Sequence, residues 1–339
     1  MRTIRRLYFY AVAFITFEVV LWGLIGLLRS ILSTSQISDG GDALARALSL
    51  TLVGVPIFAL HWIWAQRASA ADDEEHSSTL RAVFLYGTLL ATLIPITQNA
   101  LALINRTLIS LAGLDPYRAI LGGGQTWVDN LIAIFMNAIA AAYFVNVLRK
   151  DWATLPDTEN FADIRRLYRY LWHLYSLLMV IFGAQQIVRF LLYIPPKILG
   201  MISRDLSING LSLLLVGVPI WYFSWKTCQD ALQQKGERDS LLRLGVLYLL
   251  ALAGVATVLS MSGSLVALIL RQLLGESMTT SEFLTRAASP ISIALPLGVV
   301  WAYYGRWLHH DIHSFRDASR RAGLLRLYYY ILSLAGLVT

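Results

Sequence analysis

Crossing the roughly 30 Å hydrocarbon core of a bilayer takes about 20 mostly apolar helical residues. Eight stretches of this chain meet that requirement: 7–28, 43–65, 82–104, 127–148, 167–193, 208–227, 242–270 and 289–308. Hydrocarbon offers a bare backbone no hydrogen bonds, so runs of this length are read as α-helices that satisfy their own N–H and C=O groups. The rest of the composition agrees. Of 339 residues, 57% are apolar and 14% charged, with a mean hydropathy of +0.59. Soluble domains carry about a quarter charged residues. These figures exclude a secreted disulfide scaffold, a disordered tail and an ordinary cytosolic enzyme. The single cysteine, Cys228, excludes an intrachain disulfide and any multi-cysteine metal site. The first run follows Arg2, Arg5 and Arg6 but is too long for a signal-peptide core and lacks a small-residue cleavage site, so it reads as a mature span.

Loop charge gives the expected orientation. Segments on the N-terminal side of the spans carry 19 Lys/Arg and those on the opposite side carry 9, in loops short enough for the positive-inside bias to act. The N-terminus is therefore expected in the cytoplasm, and the net charge of +7 is assigned to anionic headgroups at that face, not to nucleic acid. Tyr8, Tyr10, Trp62, Trp64, Tyr168, Tyr170, Trp221, Trp225, Trp301 and Trp307 fall on the same side and are expected to form an interfacial aromatic belt.

The chain also repeats itself. Arg5-Arg6-Leu7-Tyr8-Phe9-Tyr10 returns as Arg165-Arg166-Leu167-Tyr168-Arg169-Tyr170 and again as Leu325-Arg326-Leu327-Tyr328-Tyr329-Tyr330, so that Arg6, Arg166 and Arg326 are evenly spaced along the chain. Arg29 and Arg189 keep the same interval. Val53-Gly54-Val55-Pro56-Ile57 returns at nearly that interval as Val216-Gly217-Val218-Pro219-Ile220, and Leu80-Arg81 with Tyr86 returns as Leu242-Arg243 with Tyr248. Agreement of motif and spacing at several independent points predicts a four-helix module built of two hairpins. One copy is expected over 1–160, a second over 161–322, and the start of a third over 323–339. The last run reaches only 13 residues beyond Arg326, about 20 Å of helix and short of a crossing, which reads as a longer chain's beginning of a ninth span. An even number of crossings per copy predicts parallel repeats related by an axis along the membrane normal. The fold class expected is all-α, a polytopic transmembrane bundle of tandem two-helix hairpins.

Arg-Arg-Leu-Tyr-x-Tyr openings before paired apolar helices in tandem resemble a bacterial family of polytopic membrane proteins, the domain of unknown function numbered 5671. The resemblance covers nearly the whole chain. It implies an integral fold in the bacterial inner membrane and brings no assigned activity, cofactor or catalytic residue with it.

Few side chains stand out for chemistry. Glu18 lies in mid-span, 12 residues after Arg6 and 11 before Arg29. A membrane-centre carboxylate is costly and marks a functional candidate, here for a proton or another ion. The plain alternative is a neutral acid hydrogen-bonded to a neighbouring helix, and the second copy has Leu178 there. Gly54 with Pro56, Gly217 with Pro219, and Pro296 with Gly298 interrupt the even helices, where freed carbonyls could line a path. They could equally be packing kinks. Arg29, Arg106, Arg189 and Arg271 close the far ends of the odd helices. They read either as anion or lipid-phosphate contacts or as snorkelling caps. His61 and His173 share a depth, which would suit a haem between them only if their helices met. His309, His313 and Asp317 follow i, i+4, i+8 spacing and could hold a divalent ion, though a solvated face is the plainer reading. Gly122-Gly123-Gly124 lacks the Lys-Ser/Thr of a phosphate loop.

No nucleophile–base–acid set, dinucleotide fingerprint or zinc signature is present, so no cofactor is expected. The first functional expectation is a non-enzymatic scaffold, sensor or subunit of a membrane complex, with other membrane subunits as partners. The alternative is a transporter or channel, with the Pro-containing helices lining a path and Glu18 coupling an ion. A transporter should hold a polar cavity that reaches mid-membrane; a scaffold should be filled.

Overall fold

The computed structural model describes residues 2–33, 40–154, 159–194, 201–234, 236–238, 240–314 and 318–338. Among these the chain is helical. Helix α1 is Arg2–Leu32, α2 Gly40–Ala71, α3 the single turn Asp73–His76, α4 Thr79–Leu111 and α5 Trp127–Thr154. Then follow α6 (Glu159–Tyr193), α7 (Met201–Asp230), α8 (Leu241–Leu273), α9 (Thr280–Ser314) and α10 (Ala318–Val338). Eight of these are long and apolar enough to cross a membrane, from Thr3–Leu32 to Thr280–His313. Each has 28 residues or more, roughly 40 Å at about 1.5 Å per residue, so the ends outreach the hydrocarbon and carry the charged residues into the headgroup layer. Short 3-10 turns at Pro116–Arg118 and Ala231–Gln233 belong to the connections.

Two compact units divide the chain. The first comprises Met1–Ser110 with Asp115–Tyr168, and the second Leu111–Leu114 with Arg169–Thr339. In the first, α1 packs along α2 and against α5. In the second, α8 packs along α9 and against α10. Each unit has its own apolar core. That of the first gathers Phe17, Leu21, Phe84, Leu85, Phe144 and Leu148; that of the second gathers Leu177, Leu244, Leu247, Ala251 and Tyr304.

The distribution of side chains is that of a protein bathed in lipid. Leu52, Phe135, Phe223 and Val299 are exposed, while Thr88, Asn105, Asn130, Ser176, Ser212 and Ser292 are buried. Many of the inward hydroxyls bond a carbonyl one turn back, as Thr88 Oγ1 does to Phe84 O at 2.8 Å and Ser212 Oγ to Ile208 O at 2.7 Å. Lipid tails are as apolar as leucine, so helices here gain little from hiding aliphatic surface and associate through close van der Waals contact.

That contact explains the repeated glycines. A Cβ placed on Gly54 would stand 2.9 Å from Val20 Cγ2 of α1, and one on Gly217 would stand 2.9 Å from Met179 Cβ of α6. A Cβ on Gly23 would stand 2.8 Å from Thr51 Oγ1 of α2, and one on Gly183, its counterpart in the second copy, 2.9 Å from Leu214 Cγ of α7. Both units thus use small residues at matching positions to bring their first two helices together. The prolines beside them do not break the helices: Pro56, Pro219, Pro290 and Pro296 lie inside continuous helix, as does Pro95 in α4, which the sequence motifs do not single out.

Replacing Gly217 with Ala should overpack the α6–α7 seam and cost about 1–3 kcal/mol. Gly87→Ala, where nothing lies within 4 Å, should leave stability unchanged or raise it by up to about 1 kcal/mol. Thermal melts of the two variants in detergent check this, and equal melting temperatures would refute the seam.

Candidate functional site

Glu18 stands halfway along α1. Its Oε2 accepts from Trp22 Nε1 at 3.3 Å, one turn on, and its Oε1 is buried without a partner among the described residues. The carboxylate lines a cavity of about 230 Å³ in the first unit, with Trp22, Gln98, Asn99 and Asn137 around it. Asn137 on α5 is 2% exposed. Its Nδ2 donates to Ala133 O at 2.8 Å, which leaves Oδ1 without a partner among the described residues. Asn99 Nδ2 likewise donates to Pro95 O at 2.8 Å. Each amide thus gives one of its two N–H hydrogens to a backbone carbonyl of its own helix, and Asn137 Oδ1 is left without a partner among the described residues.

The same cavity is lined by Arg29, Gly122 and Gln125. Arg29 is 11 residues beyond Glu18, about 16 Å along the helix. The cavity therefore runs from mid-span to the end of α1 and the connection before α5. Arg29 holds α1 to the start of α5 there, donating from Nε and Nη2 to Asp129 O at 3.3 and 3.0 Å. The Asp129 carboxylate caps α5 by accepting from Thr126 N and Oγ1 at 2.7 and 2.8 Å.

The four arginines expected to act alike do not. Arg29 is a tether. Arg189 donates from Nε to Tyr193 OH at 2.9 Å and lies 5.5 Å from that ring's centre. Arg106 keeps a buried Nε without a partner among the described residues, and Arg271 is exposed. The Gly-Val-Pro segments do not line the Glu18 cavity: Pro56 and Pro219 are exposed on their helices, while Gly54 and Gly217 fill the seams described above. Pro296 is buried and Gly298 half-buried on α9. His61 belongs to the first unit and bonds Ile57 O through Nδ1 at 2.8 Å. His173 belongs to the second, with Ser224 Oγ on Nδ1 at 3.1 Å and Tyr304 OH on Nε2 at 2.7 Å. Both nitrogens of His173 are committed, which leaves none for a haem iron. His313 Nδ1 bonds His309 O at 2.7 Å, and Asp317 lies outside the described residues. Among the described residues no three His, Cys, Asp or Glu side chains gather as metal ligands.

A second polar constellation is built twice. In the first unit Arg81, 2% exposed, donates from Nε to Asp151 Oδ2 at 2.8 Å and from Nη2 to Oδ1 at 3.2 Å. His76 Nε2 joins Oδ1 at 3.2 Å, and Tyr10 packs against the guanidinium. In the second unit Arg243 donates from Nε to Asp311 Oδ2 at 2.5 Å and from Nη1 to Tyr170 OH at 3.5 Å. Nearby carboxylates repeat too: Glu75 pairs with Arg6 at 2.8 Å, and Glu237 with Arg169 at 3.7 Å. The indoles follow suit, with Trp62 donating to Tyr143 OH at 2.7 Å and Trp225 to Tyr303 OH at 2.8 Å. This corrects the aromatic belt: Tyr10, Trp62, Tyr170 and Trp225 are buried core residues, since their ring bulk fills the bundle end and their polar tips find partners inside it. Nothing in the sequence motifs points to Asp151 or Asp311. The usable signal is that an aspartate holds the same place in both copies, as the arginines Arg81 and Arg243 do.

The family described as a domain of unknown function (DUF5671) matches residues 6–142 and 166–299. The chain belongs to that family. No curated protein and no solved structure matches it. The two DUF5671 segments begin at Arg6 and Arg166, in register with the internal repeat. Both stop short of the acids: Asp151 and Asp311 lie just past the matched stretches, yet each closes onto the arginine of its own copy. The Glu18 cavity, in contrast, belongs to one copy of the DUF5671 unit. In the second copy Leu178 stands at the position of Glu18 and Leu297 at that of Asn137.

Removing one partner of a buried ion pair strands the other, at about 3–5 kcal/mol. Asp311→Ala should therefore destabilise the protein by that amount, whereas Arg243→Met with Asp311→Leu should recover most of it. Denaturant or thermal unfolding of the variants reads the difference, and a double variant as unstable as the single would contradict a simple paired-charge role.

Proposed function

We propose that this protein is a non-enzymatic, cation-coupling membrane protein, in which Glu18 of the first unit takes up and releases a proton or small monovalent cation. The 19-to-9 bias in loop Lys/Arg supports a cytoplasmic N-terminus, and the resemblance to a bacterial membrane family supports the inner membrane as its site. The observation that carries the reading is the pair of buried oxygens, Glu18 Oε1 and Asn137 Oδ1, that have no partner among the described residues and share one cavity with Gln98 and Asn99 that extends to the end of α1.

The chemistry follows from what those oxygens lack. A carboxylate within hydrocarbon costs several kcal/mol unless its charge is met. Trp22 supplies one hydrogen bond and no charge. Arg29, the cavity's cation, is about 16 Å along the helix and occupied with Asp129. Neutralisation of Glu18 is then left to something that comes and goes; carboxylate with amide carbonyl is a hard-oxygen ligand set, and the single carboxylate of the lining is matched in charge by a proton or one monovalent cation. The Gly-Pro segments play no part in this reading, because the polar lining comes from α1, α4 and α5.

The second copy favours a complementary scaffold role for its own half. It keeps the Arg–Asp pair, the indole–phenol bonds and the glycine seams, and it has leucines at the two positions that define the cavity. Partner membrane subunits and the anionic headgroups of the cytoplasmic leaflet belong to that role.

Full-length protein in proteoliposomes, with proton flux followed by an internal dye and sodium uptake by radiolabel, tests the proposal. Wild type should carry at least one of the two above protein-free vesicles. Glu18→Gln should abolish that flux, and Asn137→Leu should lower it about tenfold through the loss of one ligand oxygen. Flux unchanged in Glu18→Gln, or absent in wild type, defeats the reading.

A further inference from the structure

A second cavity, of about 320 Å³, lies at the other end of α1, where α1 begins and α2 ends. Arg5, Arg6, Arg67 and Glu75 line it together with the rings of Phe9 and Trp64. Glu75 is engaged through both oxygens: Arg5 Nη2 reaches its Oε1 at 3.3 Å and Arg6 Nε stands 2.8 Å from its Oε2 as an ion pair. Arg6 Nη2 also approaches Glu74 Oε2 at 3.8 Å. The cavity lining itself holds three guanidiniums and one carboxylate, while Asp72, Asp73 and Glu74 of the adjoining turn lie outside it; Arg67, exposed, has no partner among the described residues. We propose that this cavity binds the phosphodiester of an anionic membrane lipid, with Arg67 as the free guanidinium that takes its oxygens.

Three features choose a lipid over a free anion. The cavity sits where the spans end, at headgroup depth. A guanidinium fork matches two phosphate oxygens, and forms charge-assisted bonds about twice as strong as neutral ones. Directly inward on α2, Leu60, Ile63 and Trp64 are exposed and apolar, a strip on which acyl chains continue from the phosphate. The site is no part of the shared framework, because in the register of the Gly-Val-Pro repeat the second copy has Asp230 at the place of Arg67. It is independent of the cation reading, which concerns the middle of α1 and the cavity that runs from there to its far end.

Native mass spectrometry of the full-length protein, delipidated and titrated with phosphatidylglycerol or phosphatidylcholine, tests it. Wild type should retain one phosphatidylglycerol more tightly than any phosphatidylcholine. Arg67→Glu should weaken that binding at least about tenfold, the equivalent of one charge-assisted bond, at an unchanged melting temperature. Arg306→Glu, an exposed arginine on α9, is the charge-matched control and should retain the lipid as wild type does. Equal retention by Arg67→Glu and wild type overturns the proposal. Displacement of the lipid by inorganic phosphate also overturns it, in favour of a soluble anion.

Discussion

An arginine buried in a bundle has to meet an acid, and each unit of this protein meets it with an aspartate from the far end of its own sequence. Arg81 and Asp151 are 70 residues apart, as Arg243 and Asp311 are 68 apart. The pair therefore fixes the start of the third long helix of a unit to the end of its fourth. A tyrosine from the first long helix joins at the same guanidinium, Tyr10 in one unit and Tyr170 in the other. Glycine seams then bring the first and second helices into contact. Apolar surface cannot decide this arrangement, since lipid would cover it as well as protein does. Directional polar contacts and close backbone approach remain to specify which helices meet, and both occur twice.

What is built twice and what is built once separate framework from chemistry. The ion pair, the indole–phenol bonds and the seams recur at matching positions of the two copies. Glu18 with Asn137, and Arg67 beside its cavity, do not recur; the second copy has Leu178, Leu297 and Asp230. A duplicated module can lose a costly group from one copy while the packing of that copy stays intact. The buried oxygens of the first unit are costly, and packing does not require them, because the second unit fills the same positions with leucine.

The spans and the repeat are legible in the sequence because bilayer thickness sets a length and duplication sets a period, and both survive without any knowledge of contacts. Glu18 is legible for the same reason, as the one acid in mid-span. The Arg–Asp pairs are not, because Asp151 and Asp311 sit at helix ends among loop charges and resemble solvated residues until the chain is folded back on itself. The misplaced belt has a related cause. A tryptophan at headgroup depth and one inside the bundle at the same depth occupy the same stretch of sequence, and the choice between them rests on whether a neighbouring helix offers a phenol: Tyr143 for Trp62, Tyr303 for Trp225. Pro56 and Pro219 mislead in the opposite way. In a long helix one carbonyl can go without its usual donor and the turn persists, so the proline marks no break.

The Arg-Leu-Tyr-x-Tyr opening shows how one short motif can serve two neighbours. Residues two apart on a helix point about 200° away from each other. Tyr168 falls in the first unit, its ring centre 5.2 Å from that of Tyr86, and Tyr170 falls in the second, against Arg243. The next copy repeats half of this: Tyr328 stands 5.2 Å from Tyr248. The first tyrosine of each internal opening thus packs on the hairpin before it, and Tyr170 joins the polar core of the second unit. Tyr8, at the first opening, is 56% exposed. A motif that reads as the start of a module is, in physical terms, a junction. The period of the repeat is then the distance between junctions, which is why two tyrosines so close on one helix are divided between the two compact units.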